Sequence, residues 1–127
     1  MPTITLLYAG ILGLMSIAIS TMAGSLRGKT GVSIGDGGNQ DLLLAMRRHA
    51  NFVEYVPLAL IIIALLEGSG VSGTAIHALA GSLVVTRACH AYGLKADTMQ
   101  GAGRLIGAAG TTLVIAIASV WSIVAYF

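Results

Sequence analysis

The chain has 127 residues, seven of them Lys or Arg and five Asp or Glu. Charged residues make up 9% and hydrophobic residues 56%, where an ordinary soluble domain carries about 25% charge. So few charges cannot clothe the wet surface of a small domain, which buries only about two-thirds of what its unfolded chain exposes. This excludes a soluble globular domain, a disordered chain and a nucleic-acid-binding module, and a bilayer is the solvent that fits.

The net charge of +2 means little at this charge density. The single cysteine, Cys89, excludes an intrachain disulfide framework and a Cys-rich zinc site. It reads as a small apolar helix residue. No metal is expected.

The first element spans residues 3–26, which contain no charge. The run from Ile4 to Ala23 suffices to cross about 30 Å of hydrocarbon. No basic segment precedes it, and Arg27 and Lys29 follow it, so it reads as a retained span rather than a cleaved signal. Residues 27–41 are polar and Gly-rich and read as a loop. Gly28-Lys29-Thr30 ends like a phosphate-binding loop, but Ala23 stands where that motif needs Gly, and no strand precedes it.

The second span covers residues 42–66. Its first part carries Arg47, Arg48, His49, Asn51 and Glu54, and its remainder is almost wholly apolar around Pro57. Partners in a bundle can re-satisfy the carbonyl that Pro57 frees. Glu67 to Gly73 is a short turn. The third span, residues 74–93, has no Asp, Glu, Lys or Arg before Arg87. A polar link, Lys95 to Thr98, leads to the fourth span, residues 101–126, which has none after Arg104. There Gly103, Gly107, Gly110, Thr111 and Thr112 suit close helix packing. Trp121 and Tyr126 suit a membrane interface. The expectation is one all-α integral membrane domain over residues 1–127, a four-transmembrane-helix bundle.

Four spans put the two loops 27–41 and 94–100 on one side and the termini on the other. All seven Lys and Arg lie in or near those loops. The positive-inside rule then makes both loops cytoplasmic and both termini external.

Ionisable groups within a span are costly and face a bundle interior or a watery cavity. Arg47, Asn51 and Glu54 recur at i, i+4 and i+7, which places them on one helix face, with Tyr55 one step round. Arg87 and His90 lie at i and i+3 on the third helix, and Arg104 opens the fourth. Together they suit an anionic, hydrogen-bonding ligand: Arg forks bind carboxylates, and Glu54 can accept from an ammonium. A structural ion pair of Glu54 with Arg47 or Arg87 stays open beside this reading. Arg48 reads as snorkelling toward headgroups. His49 reads as a helix-end residue and His77 as a polar packing residue.

The segment Arg47-Arg-His-Ala-Asn51-Phe-Val-Glu54-Tyr55-Val-Pro57 resembles the signature of the MAPEG family, membrane-associated proteins in eicosanoid and glutathione metabolism. Arg87-Ala-Cys-His90 resembles the family's helix-three motif, and Arg104 stands where the family places an Arg opening helix four. Gly35-Asp-Gly-Gly38 is similar to the small bacterial members. The resemblance implies a homotrimer of four-helix subunits in the bacterial inner membrane, with glutathione as cosubstrate at each subunit interface. Arg47, Asn51, Glu54 and Tyr55 would hold its peptide part, Arg87 and His90 would line the pocket, and Arg104 would be the catalytic thiolate stabiliser. A lipophilic substrate would arrive among membrane lipids. Leu94 departs from the pattern, because catalytic members often place a Tyr there. Two other functions fit the composition: a non-catalytic lipid- or ligand-binding protein on the same scaffold, and a small proton-coupled exporter with Glu54 as proton carrier.

Overall fold

The computed structural model describes residues 1–94 and 101–127, and within them the regular structure is entirely helical. The elements are α1 (Thr3–Thr30), α2 (Gln40–Gly68), α3 (Gly73–Gly93) and α4 (Ala102–Tyr126). α1, α2 and α4 are long and apolar enough to cross a membrane. α3 has 21 residues, about 31 Å at 1.5 Å each, and buries Arg87 and His90. The link around Lys95 and Asp97 lies outside the described residues.

α1 runs four residues beyond the expected span, so the loop begins at Gly31 rather than at Arg27. Arg27 and Lys29 in its last turn complement the negative end of the helix dipole. Gly31 stops the helix at φ 70°, a left-handed cap that glycine adopts without a Cβ penalty. The Arg27 guanidinium then gathers the loop, donating to the carbonyls of Val32, Ser33 and Gly35 at 3.0–3.2 Å. α2 also starts earlier than expected, because Asn39 caps it by accepting from the Leu42 N–H at 2.9 Å. The helix continues through Pro57.

At the opposite end, Glu67 caps α1 from across the chain. Its carboxylate accepts the N–H groups of Ile4 and Thr5, each at 2.8 Å, and the Thr5 hydroxyl at 2.6 Å. Pro2, the residue preceding α1, provides no side-chain cap of its own, so Glu67 supplies the acceptors that the helix start requires.

The helices alternate in direction. Arg27 reaches Met46, Arg48 reaches Leu94, and Gly93 abuts Gly103, so the basic residues of all four helices share one end. α2 and α3 form the middle of the bundle. α1 and α4 each pack on both, and do not meet each other. The core is a seam of Leu12 and Ile19 from α1, Phe52, Val56 and Ile63 from α2, Ile76 and Leu83 from α3, and Val114 from α4. Outward-facing Leu6, Leu14, Ile17, Leu105 and Leu113 remain exposed, as lipid contact requires.

The α3–α4 contact is the closest. A Cβ added at Gly107 would meet the His90 backbone nitrogen at 2.5 Å, and one at Gly103 would meet the Gly93 Cα at 3.0 Å. The small residues of α4 therefore let two backbones touch. Thr111 ties the seam: its hydroxyl donates to the Gly107 carbonyl at 2.7 Å and lies 3.2 Å from the Thr86 hydroxyl.

Candidate functional site

The polar stripe of α2 meets α3 at Arg87. This guanidinium is 2% exposed. It donates to the Asn51 side-chain oxygen at 2.8 Å and to the Gly107 carbonyl at 3.3 Å. It also stands 6.0 Å from the Tyr55 ring centroid, within cation–π reach. α2, α3 and α4 are thus joined through one side chain. Above it lies a shallow cleft of about 40 Å³, lined by Asn51, Tyr55, Arg87, Ala108, Thr111 and Thr112.

The Gly107 carbonyl is available because Thr111 and Arg87 share it, while the close glycine contact brings α4 within reach. The arrangement leaves one atom unused. Arg87 Nε is buried and has no hydrogen-bond partner. A buried unpaired donor of this kind is costly.

Of the residues expected at a site, Asn51, Tyr55 and Arg87 are brought together. Arg47 and Glu54 lie on the same helix but are exposed, and among the described residues neither has a hydrogen-bond or ion-pair partner. The ion pair of Glu54 with Arg47 or Arg87, open on sequence grounds, does not form. Arg87 takes a neutral amide and a carbonyl instead. His90 is buried, with its backbone against Gly107. Arg104 is half-buried in the first turn of α4, three residues before Gly107.

Other residues find different partners. Arg48 is half-buried and donates to the Leu94 carbonyl at 2.6 Å, closing the end of α3. His77 shares a 3.0 Å hydrogen bond with the Tyr8 hydroxyl, in keeping with a packing role. Among the described residues no group of His, Cys, Asp or Glu is placed to hold a metal. The Gly107 carbonyl and Thr86 were not foreseen as partners at this junction. A backbone carbonyl leaves no signal in side-chain identity, and Thr86 reads as one more small residue in an apolar run.

Long apolar helices around a buried basic and polar junction define an integral membrane helical bundle with a polar cleft within its span. The chain belongs to the MAPEG family, whose model matches residues 5–124. It is similar to Inner membrane protein YecN from Escherichia coli strain K12, 33% identical over 90 residues, which cover 71% of this chain and 69% of that one. The YecN protein of Escherichia coli O6:H1 matches to the same extent. No solved structure matches the chain.

Proposed function

We propose that this protein is a glutathione-dependent transferase or peroxidase of the bacterial inner membrane, acting on a lipophilic substrate as a homotrimer. The observation that carries the reading is the exposed Arg47 and Glu54 beside the Asn51–Arg87 pair on an otherwise apolar span. Charges at membrane depth must be covered or solvated. A second copy and a zwitterionic peptide between the copies would do both. The donor set suits glutathione. Guanidinium groups at Arg47 and Arg87 match its carboxylates, Glu54 matches its ammonium, and Asn51 and Tyr55 supply neutral hydrogen bonds. His90, buried behind the cleft on α3, would support this pocket rather than line it.

Arg104 stabilises the thiolate, since a nearby positive charge favours the ionised thiol. The thiol proton leaves to solvent. The sulfur then forms a bond to an electrophilic carbon, and the leaving group departs with the bonding electron pair. With a hydroperoxide, the sulfur attacks oxygen and the alcohol leaves; a second glutathione completes the disulfide and releases water. Bringing the two reactants together in a dry site supplies much of the acceleration. The positive-inside pattern orients the basic end to the cytoplasm, where glutathione is abundant, and the termini to the outside.

Stopped-flow ultraviolet absorbance of the thiolate on the purified protein tests this. Wild-type protein should give a signal on mixing with glutathione, and Arg104→Ala should lose it while keeping the fold. Absence of a signal in both, or an unchanged signal in Arg104→Ala, would overturn the role of Arg104. A non-catalytic ligand-binding role is the second reading. Leu94 favours it, because it ends α3 without a hydroxyl where catalytic members often carry Tyr. It gains if glutathione raises the melting temperature while conjugation stays at the uncatalysed rate.

A further inference from the structure

On the other side of the α2–α3 pair, α1 leaves a groove of about 130 Å³. It shares no lining residue with the Arg87 cleft. One wall is the α1 stripe Met15, Ala18 and Met22, spaced i, i+3 and i+7 and so on one helix face for about 10 Å. Ala91 and Tyr92 of α3 form the other wall, and Arg48 of α2 closes the end. Its Nη2 is fixed on the Leu94 carbonyl. Its Nε is buried with no hydrogen-bond partner. Apart from Arg87 Nε, it is the one buried side-chain nitrogen or oxygen among the described residues in that condition.

We propose that this groove seats an acyl chain of an anionic phospholipid, whose phosphate is held by Arg48. The chemistry of the two ends carries the assignment. The walls are apolar, and the flexible methionines adapt to an irregular chain. The groove opens beside Leu14 and Ile17, which are exposed on the lipid-facing side of α1, so its occupant arrives from the bilayer rather than from water. The Arg48 guanidinium lines the groove and is held by the Leu94 carbonyl, so it offers a fixed positive charge to a phosphate. Arg27 at the same end adds to the attraction of anionic headgroups.

Native mass spectrometry of the purified full chain tests the proposal, with phosphatidylglycerol and phosphatidylcholine offered in equal amounts. Wild-type protein should retain phosphatidylglycerol preferentially. Arg48→Gln should reduce that retention roughly tenfold, the scale of a charge-assisted hydrogen bond. Ala18→Phe, which fills the groove from an exposed position and keeps Arg48, should reduce it as well. Should Arg48→Gln not fold, Ala18→Phe decides alone. Glycerol phosphate, the headgroup without chains, should not displace the lipid. Equal retention of the two lipids overturns the proposal, as does retention unaffected by Ala18→Phe, displacement by glycerol phosphate, or a cross-link between Tyr92 and a second copy across the groove.

Discussion

The central α2–α3 pair carries a cleft on each flank, and each cleft is built around an arginine with a buried, unpaired Nε. The surroundings differ. Toward α4, Arg87 sits among amide, carbonyl, hydroxyl and phenol groups, and the helices meet backbone to backbone. Toward α1, Arg48 sits at the end of an apolar trough. There the glycines of the helix, Gly10 and Gly13 among them, face open space. The α4 flank is rigid and polar, as required to orient a hydrogen-bonding ligand. The α1 flank is apolar, which suits a lipid-like occupant. The same residue type serves two ends because its neighbours set what it will hold.

The sharpest way to break this contrast is to add a side chain to each flank. Gly107→Val places its Cβ against the His90 backbone and strains the carbonyl that Arg87 uses. Overpacking of this kind costs 1–3 kcal/mol, and here the obstacle is backbone, so a loss of about 3 kcal/mol is expected. Gly13→Ala meets nothing within 4 Å and should be neutral or stabilising by about 0.5 kcal/mol. Unfolding of the two variants in detergent, followed by circular dichroism, gives the comparison. Equal effects would mean that the α4 seam accepts a side chain as readily as the exposed face of α1. Next in size is Asn51→Leu, which leaves the Arg87 Nη1 buried without its acceptor. The expected loss is about 2 kcal/mol. A smaller loss would show that water replaces the amide, and so that the cleft is wetter than its lining suggests.

The four helices were legible because the apolar runs are long and the charges fall between them or at their ends. The α3–α4 seam was legible from Gly103 and Gly107, whose spacing has a packing meaning. Helix ends were read less well. Arg27 and Lys29 look like loop residues in composition, yet they extend α1 because a helix C-terminus favours cations and Gly31 ends it. Glu67 was read only as part of a turn. Its task is to cap a helix that begins more than sixty residues earlier, and no local pattern encodes a partner at that separation. At the site, helical spacing placed Asn51 beside Arg47 and Glu54, but which of the three Arg87 would choose depended on how α3 turns against α2. That angle depends on packing between helices, which the motif itself does not encode.

The smallest expected change in stability separates a binding residue from a structural one. Among the described residues Glu54 has no partner, so Glu54→Gln removes no contact seen there. Stability should change by no more than about 0.5 kcal/mol. If the stripe on α2 holds glutathione, the same substitution should abolish most of the melting-temperature rise that glutathione gives, because the ligand's ammonium then faces a neutral amide. A fall in stability comparable to that of Asn51→Leu would assign Glu54 to the fold or to the contact between copies. An unchanged glutathione response would remove it from the site. The two readouts are independent, since an exposed carboxylate on an apolar span contributes nothing to the subunit until something comes to cover it.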